Sequence, residues 1–493
     1  MSKGSMAFLS GLAVILVVAI MTGCGGIGGP VVVTPPTSTP TGSVVTFGTD
    51  TPICDVESFV VTITSASLVP QAGGTPVALV TATAPATVEF THLVDFTNIL
   101  NVASSVPAGT YTGLQVTLSN PKLVLLNTST SPPTPQLVPV TLTNQTSTFT
   151  INPSLVVSSD SAAGLALDFN LFKSLQVDAN GQVTGGVDPQ ISVTATTSGS
   201  TVGSADAPYG IIQSVSTTGL PSGFTGSFTF ALHDGSGQTV TILTDSNTVF
   251  EGDGVTGFSN LAANTFAEVP VSLNTGGQII ARLISAEEQT STASQRSAFL
   301  GRVVGATRDG AGNVTAFSLL VEDEIPDLSS TVPLYSELNV PLGGTVQYFT
   351  NSQGANREGF VFGPQTLGAG QKVAVFGALQ TGSTLAPDHI FLRAQNLLGN
   401  FQSMVMAGSD GKTGGFTMIP CGGLFGGQAI TAATYSNTGF TGAGGLSGLA
   451  PTPILDTTGL LFYQLTSGTT TGGATWTAPT WVVETVGVHL PPN

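Results

Sequence analysis

Short runs of β-branched and apolar residues, cut at close intervals by proline and glycine, constrain this chain more than any other feature. Between Phe47 and about Ser200 they cover residues 59–68, 77–80, 86–90, 114–118, 123–126, 138–142, 148–151, 164–169 and 191–196. Successive side chains on a strand point to opposite faces, so an alternating run gives one face to a core and the other to water. Pro107 and Gly109 precede the 114–118 run. Proline presets φ and glycine tolerates positive φ, which makes this pair a turn leading into a strand. Residues 92–100 read equally well as a short helix or as a strand with a loop. Many short strands joined by Pro/Gly turns make an all-β pattern, and over residues 47–200 they predict a β-sandwich.

From Gly210 onward the pattern repeats. Three second strands align from Phe228, Phe317 and Phe416, and three third strands follow at 239–245, 345–351 and 429–435. A glycine opens each unit (Gly210, Gly301, Gly399), and a late strand closes each at 278–284, 389–394 and 481–488. The period of about 90–100 residues exceeds the ~20–50 of solenoid repeats and suits small tandem domains. Asp309-Gly310 and Asp410-Gly411 mark the first hairpin of the second and third units, whereas the first unit has a longer turn at 217–223. The third unit departs most, through a glycine-rich stretch at 442–448.

Composition narrows the partners. Only 8% of residues are charged, against about 25% in ordinary globular proteins. The 41% of apolar residues can build cores, so the chain does not read as wholly disordered. Eleven Lys and Arg are scattered through a chain of net charge −17, and without clustered cations phosphate cannot be neutralised, which excludes nucleic acid. The same charge repels anionic lipid, so any membrane contact has to come from an anchor.

The amino terminus supplies one. Lys3 precedes an uncharged apolar run, 7–21, too short for the ~20 residues of a spanning helix, and small residues follow: a secretory signal. Met21-Thr22-Gly23-Cys24 resembles a bacterial lipobox. That resemblance implies cleavage after residue 23, diacylation of the Cys24 sulfur and acylation of the new amino terminus. Two or more chains hold at ~0.8 kcal/mol per buried CH₂, where one is marginal. Gly25, not Asp, follows the cysteine, which by the same resemblance implies the outer membrane. The alternative is a cleaved soluble signal with an incidental cysteine. Residues 24–46, with Pro30, Pro35, Pro36 and Pro40, read as an extended tether.

Two further resemblances concern the body. The strand from Asp55 to Leu68, Leu93-Val94-Asp95, the turn at 106–111 and the strand 165–169 occur in an order that resembles a bacterial lipoprotein domain family of unknown function. It implies an immunoglobulin/transthyretin-like β-sandwich and brings no catalytic residues. The three later units, 208–290, 299–397 and 398–490, resemble a second bacterial family of unknown function, a small β-barrel found in tandem on exported proteins.

The chain lacks His-Glu-x-x-His, Cys-x-x-Cys, Gly-x-Ser-x-Gly and a Walker loop. Gly252-x-Gly254-x-x-Gly257 spells a dinucleotide fingerprint, but a loop and a strand follow where a helix is required, so it reads as a turn. His92, His233, His389 and His489 sit in separate units and read as solvated strand ends. The acids Glu251 with Asp253, Glu322-Asp323-Glu324, and Asp178 with Asn180 lack full calcium-loop spacing and read as exposed turns. Trp476 and Trp481 are candidates for stacking on sugar, with one expected in the core and one at the surface. Cys54 and Cys421 remain once Cys24 is acylated, either bridged to each other or as two thiols. The expectation is therefore a lipid-anchored, non-enzymatic surface scaffold or binding module in the cell envelope. It needs no cofactor or metal, and its partners are the membrane through Cys24 and an envelope protein or glycan. Polysaccharide recognition is the alternative, and a secreted hydrolase is disfavoured.

Overall fold

The structure is a computed structural model. It describes residues 39–489 except 52–55, 94–95, 128, 131–133, 180–182, 207, 234, 253, 290–295, 326–331, 344, 351–359, 381–382, 422, 426, 450–453, 464–467, 470–474 and 477–478. Cys24, the signal and most of the tether lie outside the described residues. The protein is nearly all-β, 64% strand and 4% helix, with a large sheet followed by small closed barrels of five strands. From Pro40 on it forms one compact unit.

The first sheet begins earlier than the sequence suggested. Thr41–Thr51 is a strand, paired parallel with Ala162–Asn170 and antiparallel with Asn98–Pro107, so residues 41–46 belong to the fold rather than to a tether. The other half of the sheet is built on Ser58–Pro70, Gly109–Asn127 and Thr146–Val157. Val44 from one half packs with Phe59, Val61 and Leu114 from the other, so the sheet folds over a single core. Residues 114–118 and 123–126 are one strand, Gly109–Asn127, and 90–93 form a 3-10 turn ahead of Asn98–Pro107. Tyr111 clamps the turn by donating its hydroxyl to the Pro107 carbonyl at 2.7 Å.

Three barrels follow among the described residues, all with one topology. In barrel II, Glu337–Pro341, Val314–Ile325, Arg296–Arg308, Lys372–Gln380 and Thr384–Leu392 lie in that order, and Asn339 closes the ring against Thr384 in parallel. Barrel III repeats this with Ile430–Thr434, Gly414–Pro420, Gln395–Ala407, Ile454–Phe462 and Thr480–His489, closed at Thr431 and Thr480. In barrel I the fifth strand is broken into Ile279–Ala281 and Leu283–Gln289, and Ile242 pairs with Ile279 at the closure. The glycine-rich stretch of barrel III does not disturb the ring; its Leu446 and Leu449 join the core.

Each barrel also carries a short strand parallel to the fifth: Val249–Gly252, Gln347–Thr350 and Gly439–Thr441. This corrects one alignment. Residues 345–351 are not the third strand of the second unit; Glu337–Pro341 is. Only Leu338 and Val340 of that strand face inward, too weak a signal beside the β-branched run that follows.

The units are not separate beads. Val44 faces the first core, while Val45 and Phe47 on the opposite face pack with Phe228, Phe230 and Val271 of barrel I. Phe266 of barrel I packs with Leu300, Phe376 and Phe391 of barrel II, and Tyr435 and Phe462 of barrel III join the core of barrel II. Where Asn98–Pro107 would leave an open edge, Gln238 covers it: the Val102 N–H donates to its Oε1 at 2.8 Å, and Ser236 N–H donates to the Leu100 carbonyl at 3.0 Å.

Candidate functional site

Four of the ionisable residues singled out in the sequence, His92, His233, Glu322 and Asp323, meet at junctions between units. The main junction joins the first domain to barrel II. Glu57 immediately precedes the strand Ser58–Pro70, held by its N–H on the Val124 carbonyl at 2.9 Å, and Glu89 ends Ala86–Glu89. Both are buried, at 6% and 9% exposure. Opposite them stand Arg302 and Glu322, on adjacent strands of barrel II.

Arg302 lies 3.4 Å from Glu57 Oε2 and 3.8 Å from Glu322 Oε1, and His92 Nε2 lies 2.8 Å from Glu322 Oε2. Burial alone would push the Glu322 carboxyl up. His92, Arg302 and Lys372 outweigh it and hold the group at about 2. Burial likewise works against the charge of Arg302, but Glu57, Glu322 and Glu89 override it and hold the guanidinium charged. Lys372 is lowered, first by burial and then by Arg393 and Arg302, against the pull of Glu322 and Glu268. Glu89 is bound on all sides: N–H groups of Phe59 and Thr91 donate at 3.0 Å each, Ser58 Oγ donates to Oε2, and Tyr335 Oη donates at 3.3 Å. Burial, with Glu89 adding to it, raises the Tyr335 hydroxyl.

A second junction lies between barrels I and II. Arg393, 5% exposed, pairs with Glu268 and stands 5.3 Å over the Tyr209 ring. Tyr209 donates to Asp323, which also meets His233 Nε2 at 3.0 Å. Arg302, Lys372 and Arg393 are three of the chain's eleven Lys and Arg, all drawn to junctions in a protein poor in charge.

These placements correct two expectations. His92 and His233 are not solvated strand ends but pair across unit boundaries, and His389 meets Asp388 at 2.8 Å. Glu322 and Glu324 are not exposed turn acids: they are 4% and 3% exposed within a strand. Trp481 is fully buried and donates Nε1–H to Thr457 Oγ1 at 3.0 Å, so it cannot stack on a sugar. Trp476 is on the short strand Thr475–Trp476, and His489 ends Thr480–His489. Gly252 and Gly254 have φ of 110° and 68°, and only the 3-10 turn Phe258–Asn260 follows them, too short to offer a pyrophosphate a helix terminus. Asp178 is exposed; Asp253 and Asn180 lie outside the described residues. No group of three or more His, Cys, Asp or Glu among the described residues is placed to hold a metal, and no helix among them is long and apolar enough to cross a membrane. Cys421 is disulfide-bonded, and Cys54 lies outside the described residues.

Sequence reasoning missed Glu484, on the closing strand of barrel III. Its Oε1 is shut off from solvent without a hydrogen-bond partner among the described residues. Burial raises the carboxyl, Glu268 and Glu251 add to it, and the group is pushed up to about 8. An unfolded glutamate loses its proton near pH 4.3, so stability should fall as pH rises from there through about 8 and level off above. Glu484→Gln should remove that slope. The gain in melting temperature over the parent should be near zero at pH 4.5 and largest at pH 8–9; a gain independent of pH would contradict this assignment.

The comparison with curated proteins gives no match. Residues 41–184, which span most of the strands of the first sheet, match the family described as Domain of unknown function (DUF4382).

Proposed function

We propose that this chain is a non-enzymatic scaffold of the cell envelope, exported and held to the outer membrane or cell surface by lipid on Cys24. The observation that carries the scaffold reading is where the charge goes. Arg302, Arg393, Glu57, Glu268 and Glu322 are set into the joints between units, where they fix orientation and are not offered to a substrate. A chain that spends scarce cations this way is suited to presenting its far end at a fixed distance. The lipobox-like segment and the basic-then-apolar start support the anchor. Within this reading the three barrels are members of a second exported family and the first domain is an immunoglobulin/transthyretin-like sandwich.

The test of the anchor is metabolic labelling with an alkyne fatty acid in the native host. The parent should take label and fractionate with membranes, while Cys24→Ala should take none and appear in the soluble fraction. Equal labelling of both chains would end the anchor reading.

One observation favours a glycan partner as the second reading. The outer face of the first sheet displays uncharged hydroxyls in register: Thr62 meets Thr87 at 3.3 Å, Thr117 meets Thr146 at 3.0 Å, and Thr148 and Thr150 continue the row, exposed. Such a face suits a neutral polysaccharide better than a charged one. Retention of a neutral glycan on an array, lost on Thr117→Val with Thr146→Val, would favour it over the pure scaffold.

A further inference from the structure

We propose that Thr41–Thr51 is a load-bearing strand: tension reaching the compact unit at Pro40 is carried in shear along it, and the first domain stays folded under that load. The proposal extends the scaffold reading and takes from it only the point at which load enters.

The chain is gripped from Pro40 onward. The Ala108 N–H donates to the Pro40 carbonyl at 2.8 Å, the Asp160 N–H donates to the Thr41 carbonyl at 2.9 Å, and Ser43 donates its own N–H to the Ser161 carbonyl at 2.9 Å. Beyond these bonds the strand is flanked on both sides. Ser43 to Thr51 pairs parallel with Ala162 to Asn170 in one unbroken register, and Thr41 to Gly48 pairs antiparallel with Pro107 back to Asn98. Ladder bonds run between strands, so a lengthwise pull loads them together, whereas a pull at an edge opens them one at a time.

The far end of the strand lies at the joint with barrel II. Thr49 Oγ1 donates to the Leu93 carbonyl at 3.4 Å, and His92, the residue before Leu93, meets Glu322 at 2.8 Å. Barrel III packs on barrel II in turn, through Tyr435 and Phe462. A load between Pro40 and the last barrel is therefore directed along the strand.

Slip in that direction is blocked. A shift by one residue turns every side chain to the wrong face, and Val44 serves one core while Val45 and Phe47 serve another. The smallest shift that restores the faces is two residues. Drawn toward Pro40, it would bring Val44 to the place of Gly42 and Asp50 to the place of Gly48. A Cβ at Gly42 would stand 2.3 Å from the Ser158 carbonyl oxygen, and one at Gly48 would stand 2.8 Å from Leu100 Cδ2. The two glycines key the strand against the pull. Val77–Val80 is placed differently: it is a four-residue strand at the edge of the same sheet, entered from the exposed turn 71–76.

Single-molecule stretching of the full chain tests this by changing only where the load enters. Ligation peptides are inserted after Thr39 and within the turn 71–76 of the same chain, and a third handle is placed at the carboxyl end. Both insertions are present in every molecule, so any cost in stability falls on the two pulls alike. Pulled from residue 39, the first domain should open at a force about twofold higher or more than when pulled from the turn, because the ladder bonds share the load. Equal forces, or a lower force from residue 39, would overturn the proposal. A high force from residue 39 in a chain that takes no acyl label would uphold it and remove only the anchor. A labelled chain that opens equally from both points would keep the anchor and overturn load bearing.

Discussion

Arg302→Met should lower the stability of the protein by about 3 kcal/mol, the low end of the range for breaking a buried ion pair. The side chain is 19% exposed, so water softens the loss, while Glu57 and Glu322 at 6% and 0% gain nothing in exchange. Without the guanidinium, Glu57, Glu89 and Glu322 would share one dry joint, with Lys372 the remaining cation acting on Glu322 and His92 beside that carboxylate. Adding Glu322→Gln to Arg302→Met should therefore recover part of the loss, since it removes a charge that has lost its counterion. The measurement is the urea midpoint of the full chain at constant slope. A loss under about 1 kcal/mol would place the group with surface ion pairs, whose removal costs little, and the rigid-joint reading would go with it.

Gly301→Ala should cost about 3 kcal/mol, as forced overpacking does in a well-packed interior. A Cβ on Gly301 would stand 1.9 Å from the Leu320 carbonyl oxygen, and the neighbouring strand cannot withdraw without breaking the ladder, whose register already shifts between Leu300 and Gly301. The equivalent glycines face the same obstacle: 2.0 Å to the Ala231 oxygen from Gly210, and 2.4 Å to Met418 Cε from Gly399. Gly399→Ala should be the mildest, because a methionine tip moves more easily than a backbone, although the Ile419 oxygen at 2.6 Å remains. Gly310→Ala is the control. A Cβ there has open space within 4 Å, and its cost should stay within about 0.5 kcal/mol. Equal melting temperatures for Gly301→Ala and Gly310→Ala would show that the opening glycine is incidental.

That glycine was visible in the sequence for a reason. So were Phe228, Phe317 and Phe416, which pair with Val215, Ala306 and Met404 at matching places in the three barrels. Period-two alternation and a fixed close approach both leave marks on a single strand. Asp309 and Asp410 were equally local: each carboxylate accepts N–H groups of its own hairpin loop, from Ala311 and Asn313 and from Lys412 and Thr413. The polar joints left no such mark. Glu322 looks like any acid in a charged triplet until the fold brings His92 to it from the first domain, and Glu484 stands alone in its own strand. Pairing across units depends on how barrels stack, and stacking is set by faces such as that of Val45 and Phe47, whose inward and outward sides both read as apolar. The third strand of barrel II failed for a related reason, having two inward side chains and a terminal proline.

The double-sided strand Thr41–Thr51 has a consequence for how such a protein can be inherited. Val44 belongs to one interior and Val45 and Phe47 to another, so the stretch matched as a family unit carries part of its neighbour's lining. Cut free, it would bare that lining to solvent, and grafted onto a stranger it would demand a surface with the contours of Phe228 and Val271. Recombination that swaps whole modules elsewhere would here have to carry the adjoining barrel along, or rewrite alternate positions of a single strand.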